Sequence, residues 1–245
     1  MKTIGKIYNL MMLGLISIVL ILAFPRVCRS ANAENGPSDY SFESDAVTPK
    51  ELFDLGNKFL NIGIYDKARM YWEKAAEQGH RDAIANLGSL YLNGYGVKKD
   101  FYKARQYLDE AAAMGSADAI GNIGATYIYG EGVPIDYELG RKYIEQAVAM
   151  GSVFSITNLG VIYSHGYGVT QDYNIARQFY EQAANRGEPN AMYNLAILYY
   201  YGNGVTKDND IAKNYAERAL NKGLKKASDL IYEINKEWRI IIIFL

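Results

Sequence analysis

The sequence predicts an all-α fold, an α-solenoid of stacked helix-turn-helix units, on three observations. One phrase recurs four times: Asn86-Leu-Gly-Ser-Leu-Tyr91, Asn122-Ile-Gly-Ala-Thr-Tyr127, Asn158-Leu-Gly-Val-Ile-Tyr163 and Asn194-Leu-Ala-Ile-Leu-Tyr199, each followed by Gly-x-Gly-Val and then an aspartate. Gly79, Gly115, Gly151, Gly187 and Gly223 keep an unbroken 36-residue step. Inside the units, apolar residues return at helical spacing, as at Ile84, Leu87 and Tyr91. Units of this length cannot bury their apolar faces alone, so they stack into one continuous core.

The chain opens with Lys2 and Lys6, an almost uninterrupted apolar run from Leu10 to Phe24, and Pro25. Ala31-Asn-Ala33 then supplies a small-x-small cleavage pattern, so residues 1–33 read as a secretory signal peptide. The run is shorter than the roughly 20 residues that cross a bilayer comfortably. An uncleaved anchor is the competing reading. Pro25-Arg-Val-Cys28 sets a charge where a lipobox wants small residues. Residues 34–50 are polar and turn-rich, which predicts a disordered leader. At its end, Thr48-Pro49-Lys50-Glu51 has the order of a helix start, with Thr48 as N-cap and Glu51 as its reciprocal partner.

The unit 51–79 lacks the Gly-x-Gly-Val insertion, and Leu55-Gly56, Phe59, Gly63, Ala68, Trp72 and Ala75 fit tetratricopeptide spacing. Four full units follow at 80–115, 116–151, 152–187 and 188–223. In their first helices Gly88, Gly124, Gly160 and Ala196 imply close approach of the partner helix, since a mid-helix glycine otherwise costs about 1 kcal/mol. Gly94 and Gly96 supply a left-handed helix end, Val97 turns back into the core, and Asp100, Asp136, Asp172 and Asp208 stand where the second helix needs an N-cap. The second helices carry a small-aromatic-small stripe such as Ala104, Tyr107, Ala111. Residues 224–245 read as a capping helix and an apolar tail whose β-branched run, Ile240 to Ile243, disfavours continued helix.

These 36-residue words, from Asn-Leu-Gly-x-x-Tyr through Gly-x-Gly-Val to Asp, Ala-Arg and Ala-Ala, closely resemble the Sel1-like repeat family, a relative of tetratricopeptide repeats. The resemblance implies a right-handed solenoid whose first helices line a concave face. It also implies an adaptor for protein complexes, in bacterial envelopes, host-facing secreted proteins or the secretory lumen. One disulfide-rich bacterial branch binds and hydrolyses penicillins. This chain departs from that branch, because Cys28 is its only cysteine.

Composition narrows the function further. Removing the four basic residues before Glu34, a stretch with no acid, takes the formal charge from −1 to −5, which offers no attraction to phosphate backbones or anionic membranes. Neither nucleic-acid binding nor membrane insertion of the mature chain is expected. With one cysteine and two distant histidines, His80 and His165, no metal site, cofactor or catalytic constellation is expected, and His165 reads as a variable loop or groove residue. The Gly-x-Gly-Val loops are turns rather than phosphate cradles, since a helix and not a strand precedes them. Arg105 with Asp109 and Arg177 with Glu181 read as solvated helix pairs.

The candidate site is a peptide-binding groove. Asn86, Asn122, Asn158 and Asn194 form a column whose amides could pair with the backbone of an extended peptide or could fix the repeat stack. Tyr129, Tyr193, Tyr200 and Tyr201 make the groove more aromatic toward its C-terminal end, and neighbouring repeats could bury part of that stripe. The first-helix positions facing the groove hold no lysine or arginine, which disfavours a clamp for a terminal carboxylate. The expected protein is a non-enzymatic exported scaffold with a protein or peptide partner. The rival readings are an envelope hydrolase or cell-wall-ligand protein, and a secreted host-interaction effector. Intact-mass measurement of the exported protein should give a chain beginning at or near Glu34. A chain retaining residues 1–33 in the membrane fraction would replace export with anchoring.

Overall fold

The computed structural model describes residues 47–244, with side chains to Lys236. The expected signal peptide and all but the end of the expected leader lie outside the described residues. Eleven helices follow one another without a strand among the described residues: α1 (Pro49–Asn61), α2 (Tyr65–Glu77), α3 (Arg81–Asn93), α4 (Phe101–Ala113), α5 (Ala117–Tyr129), α6 (Tyr137–Ala149), α7 (Val153–His165), α8 (Tyr173–Asn185), α9 (Pro189–Tyr201), α10 (Asn209–Asn221) and α11 (Ala227–Phe244). Each odd-numbered helix to α9 packs on the helix after it, each even one on the next unit, and α3, α5 and α7 also touch in sequence. This is the expected α-solenoid. Among the described residues no helix is long and apolar enough to cross a membrane.

Local chemistry sets the helix ends. The Thr48 hydroxyl accepts from Glu51 N while Glu51 Oε2 accepts from Thr48 N at 2.8 Å, so α1 starts at Pro49, inside the stretch expected as leader. Asp100, Asp136, Asp172 and Asp208 each accept from backbone N–H groups of the first turn of α4, α6, α8 and α10. Ser116 and Ser152 do the same for α5 and α7, and the His80 ring does so for α3. Gly94, Gly130, Gly166 and Gly202 end the first helices in the left-handed conformation.

The core lies between the two helices of each unit and between units. Ala104, Ala111, Ala147, Ala176, Ala183, Ala212 and Ala219 are buried along the second helices. A Cβ on Gly124 would sit 2.7 Å from the Gly140 carbonyl oxygen, so α5 and α6 meet backbone to backbone there. Beside this contact the aromatic residues at recurring positions stack within each unit: Tyr91 on Tyr107, Tyr127 on Tyr143, Tyr163 on Phe179 and Tyr199 on Tyr215, with ring centroids 5.8–6.0 Å apart.

Units are joined in two further ways. The second loop glycine rests on the first aromatic of the preceding second helix: a Cβ on Gly132 would lie 2.5 Å from Phe101 Cβ, and Gly96, Gly168 and Gly204 repeat this against Tyr65, Tyr137 and Tyr173. Arg105 also reaches forward, its guanidinium 5.7 Å from the Tyr127 ring centre and its Nη1 donating to the Tyr127 hydroxyl at 3.4 Å. The expected Arg105–Asp109 pair is present at 2.7 Å. Arg105 is therefore more than solvated decoration, because its planar head stacks where the next unit presents a tyrosine.

The tail departs from expectation. Helix α11 continues through Ile240–Phe244. A β-branched residue costs only a few tenths of a kcal/mol in a helix, which an established helix carries forward since each further residue adds a hydrogen bond without a new nucleus.

Gly132→Val combines a φ of +76° with the Phe101 clash. It should lower the thermal midpoint by several degrees, corresponding to about 2 kcal/mol or more. Unchanged thermal unfolding would refute the loop contact.

Candidate peptide-binding groove

The four asparagines occupy one register but not one environment. Asn86 Nδ2 donates to Asn57 Oδ1 at 3.3 Å, and Asn122 Nδ2 donates to Ser89 Oγ at 3.0 Å, in both cases across neighbouring first helices. Asn158 Nδ2 is buried without a hydrogen-bond partner. The reason is in the acceptor column. Asn57 and Ser89 carry side-chain oxygens, while the same positions in the next two units are Ala125 and Val161. Thus the asparagines stitch repeats together in the N-terminal half and lose their built-in acceptors in the C-terminal half. Asn194, the last, borders a cavity between α7 and α9.

Neighbouring repeats close much of the first-helix face, where Ala85, Leu92, Ala125, Ile128 and Thr157 are all buried. The last residue of each first helix stays open: Asn93, Tyr129, His165 and Tyr201 form an exposed column. Tyr129 is 48 % exposed and meets the Tyr167 ring edge-on at 6.1 Å. Partial burial, with Tyr167 and Glu131 adding, pushes its pKa up to about 12. His165 stacks on Tyr167 at 5.2 Å.

At the C-terminal end, Tyr200 and Tyr201 meet at 4.9 Å and Tyr201 is 64 % exposed. Tyr193 is half-buried. Here the structure corrects the cation-free groove. Lys226, from the turn before α11, places Nζ 4.5 Å from the Tyr193 ring centre, and Lys207 lies 5.2 Å over Tyr200. Both cations arrive from outside the first helices, so a reading confined to first-helix positions misses them. Burial holds the Lys226 ammonium below the ordinary lysine range.

The cavity has a volume of about 180 Å³. Ser164 lies at its wall and is hydrogen-bonded to Tyr180 at 3.0 Å, to the Val161 carbonyl at 3.0 Å and to His165 Nδ1 at 2.9 Å. Burial pushes the Tyr180 hydroxyl up to about 12 despite its Ser164 bond, so it acts as a neutral hydrogen-bonding group. Gln171 Nε2 donates to the Ser164 carbonyl at 2.7 Å and to the Tyr173 hydroxyl at 3.0 Å. Sequence reasoning offered His165 as a loop or groove residue but missed Gln171, Tyr173, Tyr180 and Asn203. For Tyr180 the signal was a tyrosine in a column otherwise made of Leu108, Ile144 and Ala216, whereas the columns of Gln171, Tyr173 and Asn203 vary or stay aromatic and gave none. Among the described residues no group of His, Cys, Asp and Glu could hold a metal ion.

The Sel1 repeat pattern matches residues 65–80, 81–116, 117–152, 153–188 and 189–224. The chain belongs to the Sel1 repeat family. A Sel1 repeat protein from Oxalobacter formigenes is 28 % identical, with a TM-score of 0.54, over 76 % of this chain and 78 % of that one. A Sel1 repeat protein from Klebsiella pneumoniae has the same fold at a TM-score of 0.58 and 20 % identity, covering 81 % of this chain and 98 % of the other. An exopolysaccharide production negative regulator of Rhizobium leguminosarum is 32 % identical over 39 % of this chain and 33 % of its own length. The candidate beta-lactamase HcpC of Helicobacter pylori is 40 % identical over 21 % of this chain and 18 % of its own. The Sel1 chain thus spans a third or less of these two curated relatives.

Asn122→Ala should cost about 1 kcal/mol in urea unfolding, because it removes a made hydrogen bond. Asn158→Ala should cost measurably less, since its Nδ2 is already buried unpaired. Equal losses would remove the division of the ladder into two halves.

Proposed function

We propose that this Sel1 repeat protein is an exported, non-enzymatic scaffold that binds a protein or an extended peptide along its first-helix groove, toward the C-terminal end. The single observation that carries this reading is the open aromatic column, which culminates in the Tyr200–Tyr201 pair beside Tyr193. Tyrosine offers large, rigid contact area at low conformational cost, and a preformed solenoid adds no ordering penalty. Affinity then comes from aromatic anchors and from backbone pairing with Asn194, which borders the cavity and has no side-chain acceptor in the preceding repeat. Export is supported by the charged, apolar and small-residue order of residues 1–33. Periplasmic retention and secretion, including action as a host-interaction effector, share all of these features.

The envelope-hydrolase reading has one specific observation behind it, the 2.9 Å approach of Ser164 Oγ to His165 Nδ1, beside the short HcpC match. Ser164 has one proton for three neighbours, however, and the Val161 carbonyl and Tyr180 compete with the imidazole for it. His165 Nδ1 also lies 3.1 Å from the Val161 carbonyl, and Ser164 is only 7 % exposed. A nucleophile needs a base that takes its proton and a path to substrate. The scaffold reading is preferred on this ground.

A photo-crosslinking residue at position 201 should give a discrete adduct in cells expressing the full chain. The same residue at Tyr102, 76 % exposed on α4, should not. The adduct should disappear in a Tyr193→Ala, Tyr200→Ala background. Adducts from position 102 alone would move the binding face off the groove.

A further inference from the structure

The cavity between α7 and α9 owes its uncharged polar lining to departures of this unit from the pattern of its neighbours. The position of Ser164 is Leu92, Ile128 and Tyr200 in the other full units, and that of Tyr180 is Leu108, Ile144 and Ala216. The fully buried Ile144 is replaced by a tyrosine whose hydroxyl bonds Ser164. The loop position of Asn203 is Tyr95, Glu131 and Tyr167 elsewhere. Where that residue is tyrosine it stacks 5.5 Å from the first aromatic of the preceding second helix, Tyr95 on Tyr65 and Tyr167 on Tyr137. Asn203 has no ring to lay over Tyr173, so Tyr173 faces the cavity.

The chemistry of the lining is selective. Ser164, His165, Gln171, Tyr173, Asn194 and Asn203 bring hydrogen-bonding groups, and no lysine, arginine, aspartate or glutamate lines the cavity. A charged guest would lose its hydration without a counter-charge. Both protons of Gln171 Nε2 are committed, to the Ser164 carbonyl and the Tyr173 hydroxyl. Gln171 therefore has its Oε1 to offer as acceptor. The Tyr173 hydroxyl, accepting from Gln171, has its own proton to donate. An acceptor beside a donor matches a guest that presents an N–H and a C=O side by side, the pattern of a carboxamide. The size agrees, since about 180 Å³ is below the roughly 300 Å³ at which sites for whole small molecules begin. It suits one side chain of a longer ligand.

We propose that this cavity is a specificity pocket for an asparagine or glutamine side chain of the peptide that lies along the groove. The proposal rests on the peptide-binding reading of the groove and adds to it the identity of one residue of the ligand. The equivalent cleft two units upstream is lined by Lys99, Asp100, Arg105 and Glu131, so the uncharged lining is particular to this cavity and fixes the register in which the peptide sits.

The test is a titration of the isotopically labelled full chain with N-acetylglutamine methylamide, N-acetylglutamate methylamide and N-acetylleucine methylamide, followed by side-chain amide NMR signals. The glutamine compound should shift the Gln171, Asn194 and Asn203 amides with roughly millimolar affinity, and the other two should bind at least about fivefold more weakly. Asn203→Tyr restores the tyrosine found at positions 95 and 167. It should fold with an unchanged thermal midpoint and lose the response. Gln171→Ile, copied from Ile135 of the preceding unit, should do the same. Equal response to the glutamate or leucine compound, or an undiminished response in both variants, would overturn the pocket. Failure of the groove itself reads differently: shifts at Gln171 with no adduct from position 201 would leave a carboxamide pocket and overturn its peptide context. An adduct from position 201 without shifts would keep the groove and overturn the pocket.

Discussion

The close approach of the two helices in each unit governs the rest of the structure. At Gly124 and Gly140 neither helix carries a side chain, and each backbone carbonyl oxygen lies 2.7–2.8 Å from where the other residue's Cβ would be. Helices this close leave room on their flanks for flat rings rather than for branched chains. The tyrosine stacks from Tyr91–Tyr107 to Tyr199–Tyr215 occupy that room. Cations of adjacent helices reach the hydroxyls of these rings, as Lys103 and Arg105 show at Tyr91 and Tyr127. The glycine pair is particular to the unit 116–151, while the stacked rings beside it recur in every full unit.

Against such regularity, a departure carries information. The unit 152–187 substitutes Ser155 for alanine, Ser164 for leucine or isoleucine, and Tyr180 for an aliphatic residue. Ser155 is accommodated because Gly121 faces it without a side chain. Tyr180 is accommodated because Gly160 does the same. Three buried polar atoms of α7, on Ser155, Thr157 and Asn158, have no partner. Polar groups so placed destabilise the fold unless something else is gained, and functional sites are where proteins tolerate that imbalance.

The architecture was legible because each unit repeats the same local instructions. Asp100 and its equivalents could be read as caps, and Gly94 and its equivalents as helix ends, since a cap depends only on residues within one turn. The groove was less legible. Whether Asn122 is a rung of the stack or a hand held out to a ligand depends on Ser89, a residue 33 positions away whose partner role appears only once the helices are side by side. Lys226 on Tyr193 was invisible for the same reason. Helix α11 beyond Trp238 was misjudged because side-chain preference was weighed without the momentum of an existing helix.

The seating of each loop glycine on an aromatic of the preceding repeat has a further consequence, which is a direction. A repeat leans on its predecessor, never on its successor, for this contact. Losing a repeat from the C-terminal end uncovers a ring such as Tyr137 or Tyr173 to water, whereas losing one from the N-terminal end uncovers only a glycine. The two ends of the stack are therefore unequal as growing edges. A chain emerging from the ribosome N-terminus first always presents the sticky edge, with a ring waiting for the next loop to arrive.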